Sequence, residues 1–338
     1  MEAAPSGAAS FFRIRAEQQL RVARAAGRDQ IGRVSRRWIP VFCAVVSLLS
    51  PRAGAVVINS EFGTGNTNAP ADDPGWANMG LINGASGIYL GSGWVLTAAH
   101  VGMGNISFGG TAYAPISNSL VTLTNTTVGR RTNADLIMFQ LTAQPAGLGS
   151  LTLASTAPTL GAPVTMIGAG RDRGAFTEWY VNQSVSPWSW TVSSTNVNFA
   201  GYQTLGASAM RWGTNTVSTD ELWVTVQVGT LRDVRSFATM FDIVAGSDES
   251  QAVLGDSGGA VFFKRGSAWE LGGMLFTVKG FSGQPDVALT PVDGNETFSA
   301  DLSYYAPQIM SLVPEPSTYA LLALSAAAFG AVIIRRRR

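Results

Sequence analysis

Short runs of Val, Thr and aromatic residues, separated by glycine, constrain the fold of this chain more than any other feature. Runs such as NSLVTLTNTTV and WTVSSTNVNF are typical of strands, because β-branched side chains fit a pleated, half-buried surface. The 38 glycines suit the tight turns that join such strands. With 46% hydrophobic and 13% charged residues in 338, the chain can bury a large core. We therefore predict a mostly β globular protein.

The first 55 residues have the composition of an export signal. Eight arginines lie within residues 1–38, the apolar run IPVFCAVVSLL follows, and Ala53 and Ala55 have the spacing of a signal-cleavage site. We predict a signal peptide over 1–55, with its apolar region at 39–50, and a mature protein that begins at Val56. An alternative start at Val34 would give a basic region of more usual length.

The segment 313–338 has three parts, which are Pro-Glu-Pro, an apolar stretch from Thr318 to Ile334 and four arginines. An apolar stretch of this length can span a membrane as a helix, with the arginines on the cytoplasmic side. The arrangement resembles the PEP-CTERM sorting signals of Gram-negative bacteria. That resemblance implies export, transient anchoring in the inner membrane by 318–334, and delivery to the cell surface or exterior by a processing membrane enzyme. A plain single-span anchor is the alternative.

The body between these two ends is acidic and has no cysteine. The whole chain has 23 basic and 22 acidic residues, but 13 of the basic ones lie in the two ends, so residues 56–334 carry a net charge of −9. Nucleic acid calls for clustered Lys and Arg, and we expect none as a partner. The only cysteine, Cys43, lies in the signal segment, so the body can form no disulfide or thiolate metal site.

Three polar residues of the body are candidates for catalysis. The single histidine, His100, follows a predicted hairpin in which GIYL and WVL flank a Gly-Ser-Gly turn. Asp135 precedes an apolar strand, where a buried carboxylate needs a partner such as a histidine N–H. Ser257 lies in LGDSGGAV, which is also the composition of a tight turn. Taken singly, each residue fits a purely structural role equally well.

Together the three residues occur in the order His, Asp, Ser, which is the order of chymotrypsin-type triads. The segments GWVLTAAHV, ADLIMFQL and GDSGGAV resemble the three catalytic segments of the trypsin-like serine protease family. The resemblance continues through APVTMIGAGR, GGMLFTV and ADLSYYAPQIM, and covers essentially all of 56–312. The chain departs from the family in its missing cysteines and in a Trp-rich stretch at 175–240. We interpret that stretch as extra strands and loops of the second barrel.

The resemblance implies an all-β fold of two antiparallel six-stranded β-barrels of the chymotrypsin type, with the active site between them. The barrels would occupy 56–150 and 151–312, and the precursor would add a C-terminal transmembrane helix. The implied function is that of an exported serine endopeptidase, which cleaves a polypeptide substrate through an acyl-enzyme. His100 would be the general base, Asp135 would orient it, and Ser257 would be the nucleophile.

The same resemblance assigns supporting roles near the nucleophile. The backbone N–H groups of Gly255 and Ser257 are the expected oxyanion-hole donors. We also expect Asp256 to pair with the N-terminus that signal cleavage would free at Val56; a bond to neighbouring backbone is the alternative. Gln251 is expected to be a substrate-binding residue of the pocket. It lies six positions before the serine, where family members that cleave after basic residues have an acid, so a basic P1 residue is not expected.

The remaining expectations concern substrate, partners and cofactors. Phe276, Thr277 and Val278 are expected to line the substrate cleft and to pair with an extended peptide; an insertion that brings Asp248 or Glu249 into the pocket is the alternative. The expected partners are a polypeptide substrate, the export machinery and a sorting enzyme. We expect no cofactor and no transition metal, and leave calcium on Asp72, Asp73 or Asp286 open. The competing hypotheses are an esterase with the same triad and a non-catalytic protease-like surface or matrix binding protein.

Overall fold

A computed structural model describes residues 56–59, 65–206 and 209–313. The predicted signal peptide at 1–55 and the predicted membrane span at 318–334 lie outside these residues. Within them the structure contains a 3-10 helix (Trp76–Asn78), an α-helix α1 (Leu302–Leu312) and 18 strands, which confirms a mostly β protein. The strands are β1 (Val57–Ile58), β2 (Met79–Ile82), β3 (Ala85–Gly91), β4 (Trp94–Ala98), β5 (Ile106–Phe108), β6 (Thr111–Tyr113), β7 (Val121–Thr124), β8 (Asn133–Gln140), β9 (Pro163–Gly168), β10 (Arg173–Asn182), β11 (Ser189–Val192), β12 (Phe199–Thr204), β13 (Arg211–Val228), β14 (Thr230–Met240), β15 (Ser250–Gln251), β16 (Ala260–Arg265), β17 (Ala268–Lys279) and β18 (Glu296–Asp301).

The first part of the chain forms a seven-stranded antiparallel sheet with the order β6-β5-β2-β3-β4-β8-β7. Both faces are buried, because alternate residues enter two different clusters: Ile88 and Leu96 pack in one, and Tyr89 and Val95 in the other. The predicted hairpin is confirmed, since β3 and β4 pair on either side of Ser92. The expected six-stranded barrel is wrong in its strand count. The chain turns back at Gly109–Gly110, both at positive φ, and so forms two short strands, β5 and β6.

The second part of the chain forms a closed six-stranded barrel with the order β13-β14-β18-β17-β16-β9. Its interior is apolar, and includes Met166, Phe237, Val261 and Leu275. Helix α1 follows β18 directly, with Asp301 as its N-cap, which accepts a hydrogen bond from the N–H of Ser303. Among the described residues, no helix is long and apolar enough to cross a membrane.

The Trp-rich stretch forms two structures. Strands β11, β10 and β12 make a separate three-stranded sheet, which we call the inserted sheet. The rest extends the barrel as the long β13–β14 hairpin, which confirms the prediction of extended strands. The prediction that the whole stretch belongs to the second barrel is wrong for β10, β11 and β12, because among the described strands they pair only with one another. At the start of the described chain, β1 pairs with β15 and thereby lies beside the segment that leads to Ser257.

Candidate active site

Two strands of the N-terminal sheet bring His100 and Asp135 together. Because Ala98 of β4 lies opposite Leu136 of β8, the histidine just beyond β4 faces the aspartate within β8. Asp135 Oδ2 lies 2.7 Å from His100 Nδ1, and Asp135 Oδ1 accepts the His100 backbone N–H at 3.0 Å. The Asp135 side chain is 1% exposed and that of His100 is 35% exposed. This contact favours the imidazole tautomer in which Nδ1 donates to the carboxylate, which leaves Nε2 as the acceptor.

Ser257 lies in a tight loop between β15 and β16. Gly255 and Gly258 flank it with φ values of +100° and +83°, in the region that residues with a Cβ rarely adopt. The loop is closed by hydrogen bonds from the Asp256 N–H to the Val253 carbonyl (3.0 Å) and from the Gly258 N–H to the Leu275 carbonyl (2.8 Å). The serine itself is partly exposed. The segment can therefore be a tight turn and still carry Ser257 as a nucleophile.

Ser86 and Thr97 tie this loop to the strands that carry His100. The Ser86 N–H donates to the Ser257 carbonyl at 2.9 Å, and Ser86 Oγ donates to the Gly255 carbonyl at 3.1 Å. Thr97 Oγ1, three residues before the histidine, donates to the Ser86 carbonyl at 2.7 Å. Sequence reasoning missed both residues. The threonine lies in the TAAH segment that identified the histidine, but nothing in the sequence around Ser86 indicates this role.

Asp256 is fully buried and accepts hydrogen bonds from three separate segments. The N–H groups of Gly170 and Val253 donate to it at 2.8 and 2.7 Å, and the backbone N–H of Val56 donates as well. Burial raises the pKa of this carboxyl to about 7, against the opposing effect of these hydrogen bonds. Val56 is itself 0% exposed. The structure thus brings together the two residues that were expected to pair.

A pocket of about 120 Å³ opens beside Ser257. Its walls include the three predicted cleft residues, which are Phe276, Thr277 and Val278. Gln251 does not line it and is 0% exposed, because β15 pairs Gln251 with Val57 and alternation turns Ala252 toward the pocket instead. Leu275, in the segment GGMLFTV, lines the pocket as well, and the lining residues that sequence reasoning missed are Ala252, Val253, Leu254 and Ala288. A larger groove of about 500 Å³ on the N-terminal sheet contains none of the predicted site residues.

Residues 63–295, well over half of the chain, match the family model described as Trypsin, and this range contains His100, Asp135 and Ser257. The chain belongs to the trypsin family. It is therefore a serine-type peptidase, a hydrolase. Residues 312–338 match the PEP-CTERM protein-sorting motif, which indicates export and sorting to the cell surface. No curated protein matches the chain.

This trypsin-family chain also contains a buried ion pair that the sequence did not indicate. Arg211 at the start of β13 is 1% exposed and donates from both Nη1 and Nη2 to Asp172 Oδ1 at 3.1 Å. Its positive charge acts on Asp256 in the direction that lowers the pKa of that carboxyl. Two of the three acidic residues considered for calcium have protein partners: Asp72 pairs with Lys264, and Asp73 accepts the N–H groups of Gly75 and Trp76.

Proposed function

We propose that the protein is an exported serine endopeptidase with His100, Asp135 and Ser257 as its catalytic triad. The observation that carries this proposal is the 2.7 Å contact between the only histidine and a buried aspartate. Among the described residues, Asp135 is the only side chain that hydrogen-bonds the His100 ring, and the ring stays 35% exposed. A purely structural role would require neither feature. The hydrogen bonds of Ser86 to the nucleophile loop support a site that both parts of the fold build.

In the proposed reaction, Ser257 Oγ attacks the carbonyl carbon of a peptide bond while His100 Nε2 takes the hydroxyl proton. Asp135 holds the ring through Nδ1 and stabilises the imidazolium that forms. The C–N bond then breaks, the imidazolium gives its proton to the leaving amine, and an acyl-serine ester remains. Water, deprotonated by the same imidazole, hydrolyses this ester and restores the serine.

The proposed oxyanion hole consists of the backbone N–H groups of Gly255 and Ser257. Within the described part of the chain, neither group donates to a protein acceptor, although the neighbouring N–H groups of Asp256 and Gly258 both do. Two unused donors beside a nucleophile can stabilise the negative charge that develops on the carbonyl oxygen. The positive φ of Gly255 supports this role, because a side chain there would oppose the loop conformation.

We further propose that signal cleavage after Ala55 frees the amine of Val56 as an ion-pair partner for Asp256. The buried position of Val56 and its hydrogen bond to Asp256 support this pairing.

The proposed organisation is a signal peptide at 1–55, an N-terminal barrel-like unit at 56–150, a C-terminal barrel at 151–312 and a sorting segment at 313–338, with the cleft between the two units. Residues 318–334 would anchor the exported chain in the inner membrane until the sorting enzyme acts.

A fluorophosphonate probe tests the catalytic proposal directly. We expect the folded full-length protein to form one adduct at Ser257, detected by peptide mass spectrometry, and the Ser257→Ala protein to form none. Parallel hydrolysis assays with peptide and ester libraries then separate an endopeptidase from an esterase. A wild-type protein that is folded but forms no adduct would be a binding protein of protease shape, and the proposal would be wrong.

A further inference from the structure

The pocket beside Ser257 is small, apolar and walled by two chain segments that touch each other. Among the described residues that line it, none is charged. Ala288 forms one side, and its carbonyl accepts the N–H of Leu254 on the nucleophile loop at 2.8 Å. Ala288 belongs to the long segment between β17 and β18, which we call the wall segment (280–295). This segment therefore fixes one side of the pocket, and a shift of it would change the pocket's width.

The inserted sheet holds the wall segment through backbone hydrogen bonds along β12. The N–H of Thr204 donates to the Leu289 carbonyl at 3.1 Å, and its Oγ1 donates to the same carbonyl at 3.0 Å. The Tyr202 N–H donates to the Pro291 carbonyl at 2.8 Å, and the Asp293 N–H donates back to Ala200 at 2.9 Å. Strand β12 thus runs beside the wall segment immediately after Ala288.

An aromatic cluster fixes the other end of the same segment. Phe281 packs against Phe199 at 4.8 Å and stacks on Trp188 at 6.1 Å between ring centroids. Trp190 Nε1 donates to the Ser282 carbonyl at 2.9 Å. Between these two anchors, Gln284 closes the segment on itself, because its amide bonds both the Phe281 N–H and the Thr290 carbonyl. The wall segment is therefore held at both ends by one inserted element.

We propose that the inserted sheet is the specificity determinant of this peptidase, and that Trp190 and Thr204 are positioning residues that hold the pocket at a size for small aliphatic P1 side chains. This inference rests on the proposed function. A closed cavity of about 150 Å³ accommodates benzene, so a pocket of about 120 Å³ whose walls stay in place suits the side chain of Ala or Val better than that of Phe, Lys or Arg. The acidic P1 side chains are disfavoured as well, since the apolar walls offer no charged partner.

The test compares P1 selectivity in four full-length proteins: wild type, Trp190→Phe, Thr204→Val and Tyr180→Phe. The first two variants each remove one side-chain hydrogen bond to the wall segment. Thr204→Val keeps the side-chain volume, and Trp190→Phe keeps an aromatic ring but a smaller one. Tyr180→Phe is the matched control, because Tyr180 lies on β10 but is 44% exposed. The readouts are kcat and KM for peptides that differ only in P1 (Ala, Val, Leu, Phe), and the rate at which a small fluorophosphonate labels Ser257.

We expect the wild-type protein to prefer Val over Phe at P1 by at least about tenfold in kcat/KM. Trp190→Phe and Thr204→Val should reduce this preference by about threefold or more, mainly through a lower KM for the Phe substrate. The rate at which Ser257 is labelled should stay within about twofold of the wild-type rate. Tyr180→Phe should leave the preference unchanged. Unchanged selectivity in both positioning variants, or an equal loss of labelling and of hydrolysis with every P1 residue, would overturn the inference. A wild-type protein that neither labels nor cleaves any peptide would instead refute the proposed function.

Discussion

Gly258→Ala is the substitution for which the structure gives the most detailed expectation. Gly258 follows the proposed nucleophile and has a φ of +83°. A Cβ at this position would lie 2.0 Å from the Ser86 carbonyl oxygen and 2.3 Å from Thr97 Oγ1. These two atoms form the hydrogen bond that joins β3 to β4 beside the loop. The added methyl group therefore meets both members of one buried hydrogen bond.

The cost of this substitution has two separable parts. A left-handed backbone conformation costs an L-residue about 1–2 kcal/mol. Displacement of the Thr97 hydroxyl from the Ser86 carbonyl leaves buried polar groups unpaired, at about 1–3 kcal/mol. The total of about 2–5 kcal/mol is a large share of the 5–15 kcal/mol that is typical of a folded domain. The nucleophile loop must also move, because Ser86 donates its N–H to the Ser257 carbonyl.

Gly266→Ala is the matched control for the backbone part. Gly266 has a φ of +64°, and no atom lies within 4 Å of its would-be Cβ. In urea unfolding, the free energy of unfolding of Gly258→Ala should be about 1–3 kcal/mol lower than that of Gly266→Ala. This difference is the cost of the lost hydrogen bond alone, because both variants share the backbone cost. Fluorophosphonate labelling of Ser257 should slow in Gly258→Ala and stay at the wild-type rate in Gly266→Ala. Equal stability and equal labelling rates in the two variants would refute the reasoning.

Three further predictions concern the charged residues of the site. Asp135→Asn should lower kcat by about four orders of magnitude with the fold intact, because the amide favours the wrong imidazole tautomer. Steady-state kinetics measures the loss of kcat, and the NMR signals of the single histidine report its tautomer. Burial raises the pKa of Asp256 from 3.8 to about 7, so the native full chain keeps a proton that the unfolded chain releases, and its unfolding free energy falls as the pH rises between those values. Asp256→Asn should remove that part of the pH dependence in urea unfolding. Arg232 Nη1 donates to the Ala134 carbonyl at 2.9 Å, so Arg232→Met should destabilise the protein by about 1.5–3 kcal/mol, measured in the same assay.

The parts of the site that the sequence could predict are those set by local pattern. His100 is delivered by a hairpin whose turn residues, Ser92 among them, are visible in the sequence, and Asp135 is buried because the strand around it is apolar. These features depend on residues within a few positions of the catalytic side chain. They were therefore predictable before any long-range contact was known.

The residues that the sequence could not place are those set by register and distant packing. Whether Gln251 or Ala252 faces the pocket depends on the pairing of β15 with β1, nearly 200 residues earlier in the chain. A shift of one residue in this pairing would exchange the positions of the two side chains, and neither strand's sequence alone determines the register. The inserted sheet is a similar case, because Trp190 and Ser282 are in contact although they lie 92 positions apart in the chain.

The body of the protein has no cysteine, so only noncovalent contacts hold its two parts in the catalytic geometry. One apolar cluster includes residues of both parts, and hydrogen bonds add direction to that packing. Gln308 of α1 accepts the Thr124 N–H and returns a bond to the Thr124 carbonyl, and the Asn125 amide donates to the Asp233 carbonyl on the β13–β14 hairpin. Together with the bonds of Ser86, these contacts join the unit that carries His100 and Asp135 to the unit that carries Ser257. Each such bond contributes only about 0.5–1.5 kcal/mol net. Because the triad is divided between the units, mild denaturant that separates them would abolish activity before either sheet loses its own pairing.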